Sequence, residues 1–380
     1  MQRLIVTGEK VLTAGGWRHD QDIVIENGQI RDLVSHGHSG WTKHDFPGCL
    51  IVPGFIDVQV NGGGGVQFND DIKASTIATI GAAHAQFGTT SFLPTLISDS
   101  DKALHAALDA AALALSEKTP GAIGLHLEGP YLNPEKRGIH DASYFRPIDD
   151  DTIQRLINWD HGPLVMTLAP EVVGIETIKR LTDGGVILSA GHTAASYHET
   201  VQALAHGVRG FTHLYNAMAP LQSRNPGPIA AALESNAWCG IIADGHHVAP
   251  SMLQLALRAK SDGRVMLVSD AMAIAASPLT RFSFGSVEIT VENGRCVDTN
   301  GTLAGSSITM IDAVRYCVQE LRVPLEDGLR MASAEPAAFL GKSNDLGQIS
   351  PGYRANLAVI SPNLEVIASF IDGVQMYHKD

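Results

Sequence analysis

The chain has 380 residues, 44% of them apolar and 18% charged, enough to bury a large core, so one large domain and a smaller one are expected. A formal net charge of −13 excludes a general nucleic-acid binder, which needs a basic stripe against phosphate backbones; any phosphate recognition has to be local. The four cysteines, Cys49, Cys239, Cys296 and Cys317, show no CxxC spacing, which argues against a zinc ribbon or a disulfide scaffold and fits buried thiols in a reducing compartment. The start, MQRLIVTGEKVLTAGG, lacks a basic segment followed by a long apolar core, and no stretch approaches the roughly 18 to 20 apolar residues of a membrane span. A cytoplasmic protein with neither membrane nor nucleic-acid partner is expected.

Residues 1–50 are short alternating runs (LIVTGEKVLT, DIVIENGQIRDLV) broken by glycine and an Asn-Gly pair, the pattern of hairpins. Within them His36, His38 and His44 read as part of a solvated, turn-rich loop rather than a metal site. Residues 342–380 have the same strand-and-turn texture, so the two ends are expected to meet as one small β-sandwich domain.

Over residues 51–341 apolar, strand-like runs alternate with Ala/Leu-rich helical stretches. The runs are IVPGFIDVQVNG, TTSFLPTLI, AIGLHLEG, PLVMTLAP, GVILSAGHT, GVRGFTHLYN, WCGIIADGHH and RVMLVSDAM, about the number that closes a (β/α)8 TIM-type barrel. A doubly wound sheet is disfavoured because no G-x-G-x-x-G turn joins a strand to a helix. The GGGGV stretch at 62–66 lacks the GK[ST] of a phosphate loop. The alanine-rich stretch 103–115 reads as an amphipathic barrel helix, and RFSFGSVEITVENGRCVDTNGTLAG as a hairpin with an Asn-Gly turn inserted after the eighth run.

Glu128, His192, His213 and Asp270 each close one of these runs, where a parallel barrel gathers its active site at one mouth. A lone strand-end histidine is more often a hydrogen-bonded core residue. One carboxylate and two imidazoles at successive strand ends instead supply a three-ligand set for a divalent ion, with a position left for water. Asp270 could accept a proton from that water and return it to a leaving amine, or simply cap a helix. His140, in the loop after the third run, suits polarising a carbonyl or holding a hydroxyl. Arg224, in a Pro/Gly-rich loop, and the pair His246 and His247 suit phosphate.

DVQVNGGGGVQFND, GLHLEGPYLN, SAGHT, THLYNAM, ADGHH, VSDA and GTLAGSSITM, in this order, resemble the N-acetylglucosamine-6-phosphate deacetylases of the amidohydrolase superfamily over nearly the whole chain. The resemblance implies the barrel, the small domain from both termini, and release of acetate from N-acetyl-D-glucosamine 6-phosphate. By motif position it places the metal ligands on Glu128, His192 and His213 and the acid/base on Asp270. Substrate contacts fall on Ile139, His140, Asn216, Ala217, Arg224, His247, Leu303, Ala304 and Gly305, with Arg224 reaching the phosphate across a homodimer boundary.

Many amidohydrolases carry His-x-His at the end of the first strand to hold a second metal. This chain has Gln59 and Asn61 there, and amides are weak ligands for such ions. Gly63 removes another ligand position found in some relatives. One divalent ion per subunit is therefore expected, zinc first, with Fe2+, Co2+ and Mn2+ as alternatives. The competing readings are a cyclic-amide hydrolase of the dihydroorotase or hydantoinase kind, which usually shows His-x-His and often a bridging lysine, and a noncatalytic barrel, which would have lost its ligands.

Overall fold

The structure is a computed structural model that describes residues 3–36, 40–261, 263–285, 287–292 and 294–379. Its centre is an eight-stranded parallel sheet. In chain order the strands are β1 (Phe55–Val60), β2 (Thr89–Ile97), β3 (Leu125–Glu128), β4 (Leu164–Leu168), β5 (Ile187–Ala190), β6 (Gly210–Phe211), β7 (Trp238–Ile241) and β8 (Val265–Leu267). Each falls within one of the eight predicted runs.

Strands covered on both faces read as continuous apolar runs, and β2 is buried at every position. The sheet is brought round on itself just beyond β1 and β8. There Asp270 donates its N–H to the Gln59 carbonyl at 3.0 Å, and Asn61 donates to Ala271 at 2.9 Å. This seam matters for function, because it sets Gln59 and Asn61 beside Asp270.

The alanine-rich stretch is a helix, Asp101–Ser116, capped by Ser100, whose hydroxyl accepts from the Ala103 N–H at 3.2 Å. Leu104, Ala107, Leu108, Ala111 and Ala114 are its buried stripe, at helical spacing. The glycine run at 62–66 is close packing. A Cβ on Gly62 would lie 2.5 Å from the Val66 carbonyl, and one on Gly63 would lie 2.4 Å from His84 Nε2.

Both termini build a second sheet of eight strands. Its path runs Val374–His378, Val366–Ile371, Leu357–Ile360, Thr42–Pro53, Arg3–Thr13, Gln21–Glu26, Gln29–Ser35, with Gly16–His19 added to Arg3–Thr13. The pairings are antiparallel except for Arg3–Thr13 with Thr42–Pro53, which is parallel. Leu4, Val6, Ile23, Ile25, Leu357 and Val359 alternate along their strands into one core, the period-two pattern of a half-buried sheet.

His44 departs from the loop expected for it. It lies within Thr42–Pro53, paired with Val6, and its ring meets the edge of Phe370 at 5.4 Å. Parallel pairing with the first strand extends this strand further than its polar start suggests. His36 lies 3.7 Å from the buried Asp22 carboxylate, and His38 is outside the described residues. After β8 the predicted hairpin is a three-stranded antiparallel sheet, Arg281–Phe284, Val287–Glu292 and Arg295–Val297, with Asn293 of its expected turn outside the described residues.

Candidate active site

The mouth at the C-terminal ends of the barrel strands holds a cavity of about 290 Å³. Glu128, His140, His192, His213 and Asp270 all line it, and each is at most 9% exposed. Glu128 is the last residue of β3, whereas His192, His213 and Asp270 lie two or three residues past β5, β6 and β8. Those three have positive φ, 48°, 32° and 51°. The left-handed region is costly for residues with a Cβ, and such strain persists where a site over-determines it.

Three donor atoms converge. Glu128 Oε1 lies 3.0 Å from His213 Nε2 and 3.4 Å from His192 Nε2, and the two Nε2 atoms are 3.1 Å apart. Ligands about 2.0 to 2.1 Å from a tetrahedral zinc-type ion lie roughly 3.3 Å from one another, so this spacing suits a cation. His192 Nδ1 contacts the Lys136 carbonyl at 2.8 Å; a proton donated there leaves the Nε2 lone pair for a metal. Glu128, His140 and His192 also offer ligand atoms within 4.8 Å of one another, but His140 Nε2 stands 4.0 Å from Glu128 Oε2, farther than His213.

Gln59 and Asn61 act as hydrogen-bond donors to the two acids. Gln59 Nε2 donates to Glu128 Oε1 at 2.9 Å and to Asp270 Oδ1 at 3.1 Å, and Asn61 Nδ2 donates to Asp270 Oδ1 at 2.7 Å. The Gln59 amide thus bridges the two acids, and Asn61 adds a second donor to Asp270.

Burial pushes the Asp270 carboxyl up to about 6, with the nearby Glu128 charge acting in the same direction. Burial would raise Glu128 too, but bonds from His192 and His213 outweigh it and hold that carboxyl well below the usual range. His140 is driven well below the usual imidazole range by burial and then by His192, so it is neutral.

Ile139, Asn216, Ala217, His247, Leu303 and Gly305 line the same cavity. Ala304 lies buried behind Leu303 and Gly305, its N–H bonded to Cys296. Arg224 is exposed and outside the lining, which among the described residues contains no arginine. The inserted three-stranded sheet forms part of the wall through Ile139, which packs against its Ile289 and Cys296 core.

Several contributors escaped the sequence reading. Ser98 Oγ contacts His140 Nδ1 at 2.7 Å, and Asp244 Oδ2 holds His247 Nδ1 at 2.6 Å. Asp57, fully buried beneath the seam, accepts from the Ser269 hydroxyl at 2.5 Å. Asp244 stands in the ADGHH motif and could have been found there as an acid three residues before a histidine; the Lys136 carbonyl leaves no sequence trace.

Among the described residues no helix is long and apolar enough to cross a membrane. The amidohydrolase family pattern matches residues 50–376. An N-acetylgalactosamine-6-phosphate deacetylase of Shewanella sp. (strain ANA-3) is 40% identical, the match covering 99% of this chain and 97% of the relative. An N-acetylglucosamine-6-phosphate deacetylase of Haemophilus influenzae is 36% identical over 92% of this chain and 93% of its own. The crystal structure of N-acetylglucosamine-6-phosphate deacetylase from Pasteurella multocida superposes with a TM-score of 0.96 at 34% identity, covering 99% of this chain and all of that one. The chain belongs to the amidohydrolase family.

Proposed function

We propose that this chain hydrolyses the acetamide of N-acetyl-D-glucosamine 6-phosphate to D-glucosamine 6-phosphate and acetate, in amino-sugar breakdown or recycling. The observation that carries the reading is the pairing, in one cavity, of a carboxylate and two imidazole Nε2 atoms at mutual distances of 3.0 to 3.4 Å with a second acid, Asp270, linked to Glu128 through Gln59. Relatives named as deacetylases of the galacto and gluco 6-phosphates match over 99% and 92% of the chain and support the reading.

Glu128, His192 and His213 would hold one divalent ion per subunit, zinc by the donor set. Such an ion supplies Lewis-acid polarisation of the acetyl carbonyl and acidifies water. Asp270 takes the proton from the attacking water, and the same carboxyl then delivers it to the sugar nitrogen as the C–N bond breaks. His140 donates a hydrogen bond to the carbonyl oxygen as that oxygen gains charge. Ile139, Asn216, Ala217 and the segment from Leu303 to Gly305 orient the sugar. His247 takes part in holding the phosphate.

Arg224 reaches that phosphate from a second copy of the chain, making a homodimer the active unit. Residues 1–50 and 342–380 form the small domain and residues 51–341 the catalytic barrel, in a cytoplasmic protein. The carboxamides at positions 59 and 61, engaged as donors, argue against the dihydroorotase or hydantoinase alternative.

A second reading concerns one hydroxyl: the relative from Shewanella carries the galacto name, so the epimeric sugar phosphate belongs in the same test. Acetate release from the gluco and galacto 6-phosphates and from unphosphorylated N-acetylglucosamine decides the matter. Faster turnover of the phosphorylated gluco substrate is expected. Equal rates without phosphate would remove the Arg224 and His247 roles, and no release from any of the three would end the reading.

A further inference from the structure

We infer that Ser98 is a positioning residue that fixes the tautomer of His140, so that His140 presents Nε2–H to the cavity. The inference rests on the reading of His140 as the donor to the acetyl oxygen. Ser98 directly follows β2 and is 5% exposed. Its Oγ lies 2.7 Å from His140 Nδ1 and 3.3 Å from the Glu128 carbonyl oxygen.

One hydroxyl proton has two acceptors to choose from. O–H···O bonds run from about 2.5 to 3.0 Å, so the Glu128 carbonyl is too far to hold that proton well, and His140 Nδ1 receives it. A neutral imidazole has one donor and one acceptor nitrogen; with Nδ1 accepting, Nε2 carries the hydrogen. The reverse tautomer would point a bare Nε2 lone pair at Glu128 Oε2, 4.0 Å away, acceptor against acceptor. With Nε2–H the same approach is attractive.

The surroundings reserve this arrangement. A Cβ on Gly129 would fall 2.2 Å from Ser98 Oγ, and Gly129 has φ +87°, so a glycine there leaves room for the hydroxyl. The loop that carries His140 is tied to the segment that carries Ser98. Arg146 donates Nη1 to the Asp99 carbonyl at 2.8 Å and to the Tyr144 carbonyl at 2.7 Å, and Nε to Asp101 Oδ1 at 2.7 Å. A protonated Nε2 cannot coordinate a cation, so the same tautomer leaves His213, not His140, as the third ligand beside Glu128 and His192.

The test uses full-length protein loaded with zinc as a diamagnetic probe and labelled with 15N-histidine, with the His140 resonances identified by their loss in His140→Gln. Wild type is expected to show a protonated Nε2 and an unprotonated Nδ1. Ser98→Ala should move those resonances towards a tautomer mixture and lower kcat about 10- to 100-fold, with KM and zinc content little changed. Ser98→Thr, which keeps the hydroxyl, should recover both the tautomer and the rate. An unprotonated Nε2 in wild type, or an unaltered tautomer in Ser98→Ala, overturns the inference. Should His140→Gln itself turn over normally, the donor role of His140 falls as well. A slow His140→Gln beside an unmoved Ser98→Ala tautomer removes only the role of Ser98.

Discussion

Asn61 donates to Asp270 Oδ1 at 2.7 Å, and the second bond to this carboxylate, from Gln59, falls on the same oxygen. One oxygen of the acid is thereby held while the other is left to exchange a proton. Two carboxamides, at positions 59 and 61, do this positional work.

Replacing Asp270 with asparagine keeps the shape and removes the proton acceptor. Asp270→Asn should fold and hold its metal while kcat falls about 100- to 10,000-fold, the range of general acid–base catalysis. Metal analysis beside steady-state kinetics checks both halves; near-normal turnover would take the proton-transfer role away from this residue.

The pH dependence follows with a definite sign. Asp270 must be ionised to accept a proton, and burial with the Glu128 charge places its carboxyl at about 6 in the absence of a cation. A bound cation favours the ionised form. The acid limb of kcat/KM should therefore lie at or below about 6, with activity lost as pH falls through it. A limb well above that point, read from a pH–rate profile, would assign it to another group.

Chelation should abolish turnover and lower thermal stability, and added Zn2+ should restore both, by about 4 kcal/mol at a thousandfold excess over Kd. His213 is affected in opposite directions by burial, which lowers its pKa, and by the Glu128 bond, which prevails and raises it. Its proton competes with the ion, so metal affinity should weaken as pH falls. Glu128→Gln should cut metal content, measured by elemental analysis. A fully loaded Glu128→Gln protein would place the ion elsewhere.

If Arg224 acts across a dimer boundary, mixing two inactive proteins restores a site. A heterodimer of Arg224→Ala and Asp270→Asn protomers carries one site with Asp270 from one chain and Arg224 from the other. Activity should appear on co-expression although each homodimer is impaired; if Arg224 served its own subunit, none would.

Asp57 gives a prediction about stability rather than rate. Burial pushes this carboxyl up to about 7 against an ordinary 3.8, so the native state keeps a proton that the unfolded chain releases. Its contribution to stability is full below the lower value and declines until pH reaches the upper one. Asp57→Asn should lose less stability than wild type between pH 5 and 7, by about 2 kcal/mol. Denaturant midpoints at the two pH values test this, and parallel losses in both proteins would contradict it.

The barrel was readable because its strands are buried on both sides, leaving unbroken apolar runs such as TTSFLPTLI, and because Glu128, His192, His213 and Asp270 follow such runs at once. Ser98 was hidden by its neighbours: it stands in the polar run SDSD, whose Ser100 caps the next helix. The Lys136 carbonyl that orients His192 is backbone, which any residue supplies. Asp57 looks like any polar residue in a strand until the seam with Ser269 is known. His44 was misread because its strand's extension comes from Arg3–Thr13, far earlier in the chain.

The terminal sheet has a consequence for synthesis. The strand Thr42–Pro53 pairs on one side with Arg3–Thr13 and on the other with Leu357–Ile360, about three hundred residues later. During translation the early strands emerge with an open, apolar edge and keep it until the barrel has been made and the last strands leave the ribosome. Clipping the final segment should therefore yield a chain prone to self-association, even though every barrel strand and every acid and imidazole at the mouth is still encoded.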